Sequence, residues 1–317
     1  MAIIAVAGGT GGIGRALVEA IVARGKHEVK ILSHKTNGVL ATEIGSPILV
    51  VDYSSVDNLK NVLEDHDIHT VISALNTLPE GGVPPEVNLV RAAQASKTTR
   101  RFIPSNWGVP LVGENVEKLP STGMKAQTIA ELDKTDLEHT SFYVGFLTDF
   151  YGTPGIKTYM SPVIMVLDLV HNMAPIPGSG NTPVVFTHTF DVAKYVALAL
   201  DLEKWEPGHH VVGDKLTWNE FVKIAEEAKG TKFKVVYDSI EDLQKGIVTE
   251  LPGLTKALPY IPVPKEALLA FSAMFGLVFD DGTMNFDEET AINRKFPQVQ
   301  PLKIKDAVQA AIKAAQV

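Results

Sequence analysis

The sequence predicts an α/β protein built on a doubly wound parallel sheet. Three observations carry that expectation. Short β-branched runs alternate with longer amphipathic stretches through the first half of the chain, a glycine string follows the first run directly, and each intervening stretch is long enough to cross one face of a sheet. With 317 residues, 45% of them hydrophobic and 21% charged, the chain can bury a substantial core as one large domain or two closely joined ones.

The expected strands, in order, are Ile3 to Val6, Val29 to Leu32, Ile48 to Val51, Val71 to Ser73, Arg101 to Ile103 and Ser141 to Val144. Helices are expected over Gly14 to Arg24, Val56 to Asp65, Pro85 to Ala95 and Gly123 to Leu132. After Tyr151 the rhythm breaks at Pro154, Pro162, Pro175 and Pro177. Further on, Asp191 stands where it would cap a helix over Val192 to Leu200. Thr217 and Glu220 have capping-box spacing ahead of Phe221 to Ala228. His210 to Val212 reads as one more strand. Amphipathic stretches at Ile240 to Ile247 and Pro264 to Phe275 give the segment from Phe233 to about Phe286 a helical character. Residues 1–152 are therefore expected to form a nucleotide-binding domain, and residues 153–317 a smaller, mainly helical C-terminal substrate lobe, with parts of about 183–229 returning to the first body.

Charge and composition exclude several function classes. A formal net charge of −8 repels phosphate polymers and anionic surfaces, so neither nucleic acid nor membrane is an expected partner. The chain has no cysteine, which removes disulfides, thiolate nucleophiles and cysteine-ligated zinc. His209 and His210 have no third ligand at useful spacing, so no metal site is expected. Apolar runs such as Ala267 to Phe279 are too short to span a bilayer, and a cytoplasmic location is expected. No Gly-x-Ser-x-Gly elbow supports hydrolase chemistry. The sequence leaves the oligomeric state open.

The strongest local signal is Val6-Ala7-Gly8-Gly9-Thr10-Gly11-Gly12-Ile13-Gly14, placed between a strand and a helix. Gly9, Gly11 and Gly14 fit Gly-x-Gly-x-x-Gly, and Gly8, Gly11 and Gly14 fit Gly-x-x-Gly-x-x-Gly. Pyrophosphate needs a tight turn, a backbone it can approach closely and a helix N-terminus to meet its charge. All seven residues from Gly8 to Gly14 are therefore expected to touch a dinucleotide in a Rossmann fold. At the end of the second strand, where an NAD enzyme places an acid on the ribose 2′-hydroxyl, the chain reads Ser33-His34-Lys35, and the first acid is Glu43. A hydroxyl, an imidazole and an ammonium suit a 2′-phosphate, which favours NADPH.

The Tyr-x-x-x-Lys pair common in short-chain dehydrogenases is absent. Instead, Arg100-Arg101-Phe102-Ile103-Pro104-Ser105-Asn106-Trp107-Gly108 resembles the Arg-Phe-Ile-Pro-Ser-Glu-Phe-Gly run of isoflavone reductase-like and NmrA-like proteins, which are atypical short-chain dehydrogenases. Met124-Lys125-Ala126-Gln127, Leu137-Glu138-His139-Thr140, Pro177-Gly178-Ser179-Gly180-Asn181 and Phe186-Thr187-His188-Thr189-Phe190-Asp191-Val192 extend the resemblance over most of the chain. It implies that Lys125 is the catalytic lysine, set between nicotinamide and substrate to donate or relay a proton. A partly desolvated lysine can have a lowered pKa and can stabilise an oxyanion as hydride arrives.

Ser105, at the carboxyl end of the fifth strand, is expected to hydrogen-bond Lys125 or the carboxamide. Ala74, Leu75 and Asn76 should pass beneath the cofactor, and Gly145, Phe146 and Leu147 should approach the nicotinamide. Asn106, Trp107, Phe150, Tyr151 and Met173 are the candidate substrate contacts. Asn106 replaces the acid that usually follows the serine, which removes a charge near the lysine and loosens the inference to reaction class. The implied function is NADPH-dependent hydride transfer to a carbonyl, imine, activated alkene or benzylic carbon of a small apolar or aromatic substrate. Two alternatives stay open: an NADP(H)-sensing regulator without turnover, and a rearrangement or cyclisation that uses the cofactor without net reduction.

Overall fold

The computed structural model describes residues 1–76, 83–110, 123–257 and 264–315. Its first strand, β1 (Ile3–Ala7), shows why the sheet forms. Ile4 and Val6 belong to one apolar cluster, Ala5 and Ala7 to another, and all four are buried. Burial of both alternating sets is what a strand covered on two faces requires.

The chain continues through α1 (Gly12–Arg24), β2 (Glu28–Ser33), α2 (Gly38–Ile44), β3 (Ile48–Val50), α3 (Val56–Asp65), β4 (Ile68–Ser73), α4 (Pro85–Ala95), β5 (Arg101–Ile103), α5 (Gly123–Leu132) and β6 (Glu138–His139). The strands lie in the order β3-β2-β1-β4-β5-β6, every pair parallel. This is a Rossmann sheet, and the expected doubly wound fold is present. Strand order reverses between β1 and β4, so a ligand crevice lies beyond their carboxyl ends.

The remaining elements are β7 (Ser141–Tyr143), β8 (Phe146–Leu147), α6 (Asp149–Gly152), β9 (Met173–Pro177), β10 (Pro183–Thr187), α7 (Thr189–Ala199), β11 (Gly208–His210), β12 (Asp214–Thr217), α8 (Trp218–Lys229), β13 (Lys234–Asp238), α9 (Ile240–Gln244), α10 (Pro252–Ala257), α11 (Lys265–Asp280) and α12 (Ile304–Ala315). Ala16, Leu17 and Ile21 of α1 meet Val192, Tyr195 and Val196 of α7 on one face of the sheet. Leu59 and Leu63 of α3, Leu89 and Val90 of α4 and Leu132 of α5 cover the other. A third cluster gathers Phe146, Tyr151, Phe186, Trp218, Phe221 and Phe279, whose rings meet mostly edge to face. Among the described residues no helix is long and apolar enough to cross a membrane.

Several local expectations need correction. Asp191 is not an N-cap: α7 starts at Thr189, because the buried carboxylate of Asp149 accepts the Thr189 amide at 2.9 Å and its hydroxyl at 2.7 Å. A cap supplied from forty residues away is invisible to a local rule. Asp191 instead accepts the Leu302 amide at 2.7 Å and pairs with Lys194. The capping box at Thr217 and Glu220 is present, since both of its partners are local.

The run expected as the sixth strand, Ser141 to Val144, is not the sixth strand of the sheet. Glu138–His139 pairs with β5, whereas Ser141–Tyr143 leaves the sheet to pair with β11 at Gly208–His210, two residues earlier than His210 to Val212. The proline-rich stretch does hold a strand, β9, which carries Pro175 and Pro177. Among the described residues its one strand partner is β13, and its other edge carries only the bridge between Met173 and Asp168, so no ladder there needs an amide from Pro175 or Pro177.

His209 lies in β11 against Phe142, with ring centroids 5.3 Å apart, and is 5% exposed. Its Nε2 has no hydrogen-bond partner among the described residues, and burial lowers its pKa from the usual 6.5 to about 4. Between those values the unfolded chain takes up a proton that the folded chain refuses, so stability falls as pH drops from 6.5 to about 4 and this contribution levels off below. His209→Phe should flatten that stretch of the stability curve by on the order of 2 kcal/mol, read by urea unfolding at fixed temperature. The flattening is partial, because burial also lowers His69 and His210. An unchanged slope would acquit His209.

Candidate active site

The glycine loop is shaped by backbone contact. Gly8 turns at φ +75°, and a Cβ there would lie 2.6 Å from the Ala74 carbonyl oxygen; one on Gly14 would lie 2.3 Å from the Gly8 carbonyl oxygen. The expected close packing of helix on strand is therefore present. The Ala74 amide donates to the Ala7 carbonyl at 2.8 Å, which brings the exits of β1 and β4 together. Gly11 differs, because a Cβ there meets nothing within 4 Å. Gly9 and Ile13 are buried, Ile13 on the core face of α1, while Thr10 and Gly12 are half-buried. Helix α1 has no side-chain cap and no acid in its first turn. Its opening amides thus face space that an anion can fill. Met160 reaches over the loop, its sulfur 3.7 Å from the place of a Gly12 Cβ, a neighbour for which the sequence gives no signal.

At the end of β2, His34 and Lys35 are exposed and Ser33 is half-buried. The His34 ring stands edge-on to Tyr53 at 4.9 Å, and the Tyr53 hydroxyl donates to the Leu32 carbonyl at 3.1 Å. Glu43, the first acid after this strand, pairs with Arg15 at 2.5 Å. Its charge is spent there. The residues present at the mouth suit an anionic 2′-substituent better than a hydroxyl.

The catalytic candidates meet around a residue the sequence reading missed. Glu86, in the first turn of α4, is 2% exposed. One carboxylate oxygen accepts the Ser105 amide at 2.6 Å, the other accepts the Thr128 hydroxyl at 3.1 Å, and the Ser73 side chain donates as well. Burial raises the Glu86 pKa against these hydrogen bonds and the field of Lys125. Burial likewise lowers the Lys125 pKa, and the Glu86 charge opposes that. A signal was available: Glu86 shares a helical stripe with Leu89, Val90 and Ala93, all buried. An acid on an apolar stripe faces inward.

Ser105 is 6% exposed, and its hydroxyl donates to the Leu75 carbonyl at 2.9 Å. The hydroxyl can still accept. Asn106 is 2% exposed, and its Nδ2 has no hydrogen-bond partner among the described residues. A buried amide left unpaired is costly by about 1–3 kcal/mol, which is the mark of a group awaiting an acceptor. Asn76 is exposed at the exit of β4.

Four expected contacts are redirected by packing. The Trp107 indole donates to the Ser73 carbonyl at 3.1 Å and stacks on Phe142. Tyr151 is 2% exposed inside the third cluster, its hydroxyl donated to the Met165 carbonyl at 2.7 Å, so it is core and not a substrate wall. The Phe146 ring packs among Phe150, Phe186 and Phe279. Met173 opens β9 and exchanges backbone hydrogen bonds with Asp168. Phe150 remains half-buried, and so does Leu147, paired with Thr187. The Gly145 amide donates to the Gly108 carbonyl at 3.1 Å.

Known proteins share this architecture. The profile of the NmrA-like family matches residues 2–305. An oxidoreductase of Botryotinia fuckeliana, BOA1, is 38% identical over 230 residues, covering 73% of this chain and 77% of its own. The oxidoreductase swnN of Metarhizium robertsii is 32% identical over 280 residues, covering 80% of this chain and 82% of its own. Among solved structures, the binary complex of leucoanthocyanidin reductase with NADPH from Vitis vinifera superposes with a TM-score of 0.74 at 19% identity, over 98% of this chain and 99% of that one. That likeness is one of fold.

The loop separates two kinds of glycine. Gly14→Ala must displace the Gly8 carbonyl, so it should lower the melting temperature of the ligand-free protein by the equivalent of about 1–3 kcal/mol. Gly11→Ala enters open space and should leave that melt unchanged, yet weaken a bound dinucleotide by about tenfold or more where pyrophosphate approaches the backbone. Titrating NADPH against the melt reads both. A Gly11→Ala protein that binds like wild type would place the anion elsewhere.

Proposed function

The chain belongs to the NmrA-like family, and from that premise we propose that it is an NADPH-dependent reductase that delivers hydride to a small apolar or aromatic substrate, with Lys125 as proton donor or relay. The observation that carries the reading is a continuous run of contacts. Gly8 lies against Ala74, Leu75 accepts the Ser105 hydroxyl, Ser105 donates its amide to Glu86, and Glu86 feels the charge of Lys125. The run joins the pyrophosphate cradle to a half-buried lysine at the carboxyl end of the sheet, where open α/β sheets place ligands.

The residues fit the cofactor. Gly8, Gly9, Thr10, Gly11, Gly12, Ile13 and Gly14 would hold the pyrophosphate with backbone, Ser33, His34 and Lys35 the 2′-phosphate, and Ala74, Leu75, Asn76, Gly145, Phe146 and Leu147 the nicotinamide side. NADPH, when bound, supplies the hydride. Lys125, more acidic than a free lysine because of its burial, gives its proton to the oxygen or carbon partner that hydride addition leaves electron-rich, and regains it from water. Asn106 can donate its unpaired amide to an acceptor on substrate or carboxamide. Phe150 supplies apolar wall. In the same reading, residues 1–152 hold the cofactor and residues 153–317 the substrate, with about 183–229 built into the first body.

Two measurements test this. NADPH should raise the melting temperature more than NADH at equal concentration, because only the former presents a 2′-phosphate to His34 and Lys35; equal shifts would sink the cofactor assignment. Lys125→Ala should retain NADPH binding while turnover of an aromatic ketone or enone falls by about 10²-fold or more. Wild-type turnover should also decline as pH rises through the lowered Lys125 pKa, since the donor is then discharged. Retained turnover in the alanine variant would remove Lys125 from the chemistry.

A further inference from the structure

Glu86 is a costly residue for its place. A buried carboxylate is tolerated only when it is hydrogen-bonded and faces a compensating charge, and an apolar or amide side chain would satisfy the packing more cheaply. Here both oxygens are engaged, by the Ser105 amide at 2.6 Å and the Thr128 hydroxyl at 3.1 Å, and Ser73 adds a third donor. These donors come from the exits of β4 and β5 and from α5. Thr128 lies three residues beyond Lys125, on the same side of α5.

The charge has one evident use. Among the described residues, Glu86 is the charged group whose field acts on Lys125, and Lys125 the one whose field acts on Glu86. Other charges on the two helices are engaged elsewhere: Arg91 of α4 pairs with Glu131 of α5, which also takes Lys134. Ser73 and Ser105 carry no charge at neutral pH. The acid expected beside the serine is Asn106, so the negative charge near the lysine comes from beneath it.

We propose that Glu86 is the positioning residue of this site, locking Ser105 to the Lys125 turn and supplying the negative charge that keeps the lysine loaded with its proton. The inference rests on the reading of Lys125 as the donor. Burial favours the uncharged amine, which has no proton to give. When Lys125 protonates the substrate, an N–H bond breaks, an O–H or C–H bond forms, and the ammonium becomes an amine. Glu86 keeps its charge throughout and draws the replacement proton from water back onto the nitrogen. It touches no reacting atom.

The test needs no substrate. Trace labelling with acetic anhydride at a series of pH values, with the Lys125 peptide quantified by mass spectrometry, gives the pH at which this amine becomes reactive in the full-length protein. In wild type the midpoint should lie below the ordinary 10.5. Glu86→Gln keeps an acceptor for the Ser105 amide and removes the charge, so the midpoint should move a further unit or so to acid, about the effect of losing one nearby opposite charge. Thr128→Val, which preserves shape and deprives the carboxylate of one donor, should move it the same way by less, and serves if the glutamine variant does not fold. A midpoint unmoved in either folded variant overturns the inference. A wild-type midpoint at 10.5 would instead defeat the donor reading itself, whatever the variants do.

Discussion

The site depends on one close approach of backbone to backbone. Gly8 can lie against the Ala74 carbonyl, and Gly14 against the Gly8 carbonyl, only because neither carries a Cβ. That approach joins the exits of β1 and β4 at the point where strand order reverses. Once Ala74 is held there, the Leu75 carbonyl is presented to the Ser105 hydroxyl at 2.9 Å. Ser105 in turn aims its amide at Glu86. The glycine loop and the surroundings of Lys125 are therefore parts of one construction, and under the proposed function a change at the loop should be felt at the lysine.

Electrostatics in this region are arranged from below the ligand crevice. Burial acts on Glu86 and Lys125 in opposite directions, raising one pKa and lowering the other, while each charge restrains the shift of its neighbour. The carboxylate is held by three hydrogen-bond donors, whereas its field on the lysine is the larger electrostatic influence opposing burial there. Orientation and charge thus come from the same side chain. This differs from an acid placed beside the serine, which would share the crevice with substrate.

What could be read from the sequence was what local chemistry decides. The glycine string, the apolar run of β1 and the Thr217–Glu220 box depend on neighbours a few residues away, and each is found where its pattern places it. Misplaced features have distant causes. Asp149 starts α7 from across the fold, so Asp191 is freed from capping. Tyr151 and the Phe146 ring turn inward because Phe186, Trp218 and Phe221 form a cluster that no local window contains. Glu86 was overlooked for a different reason. Its stripe was visible, but an acid in the first turn of a helix has a sufficient explanation in the helix dipole, and that explanation conceals a buried one.

Moving the charge away from Asn106 changes what the crevice can recognise. A buried carboxylate at that position would favour cations and repel anionic groups. With an amide there, the position carries a buried N–H donor without a partner among the described residues and no charge of its own. An unpaired donor rewards an acceptor strongly and discriminates against a ligand that lacks one, because the desolvation cost then goes unmet. Under the proposed function, and together with the half-buried Phe150 ring, this would favour a substrate that is mostly apolar and bears at least one carbonyl, ether or hydroxyl oxygen within reach of that amide. Selectivity would then come from one neutral hydrogen bond, while the charge proposed to serve proton transfer is carried by Glu86, held by the Ser105 amide.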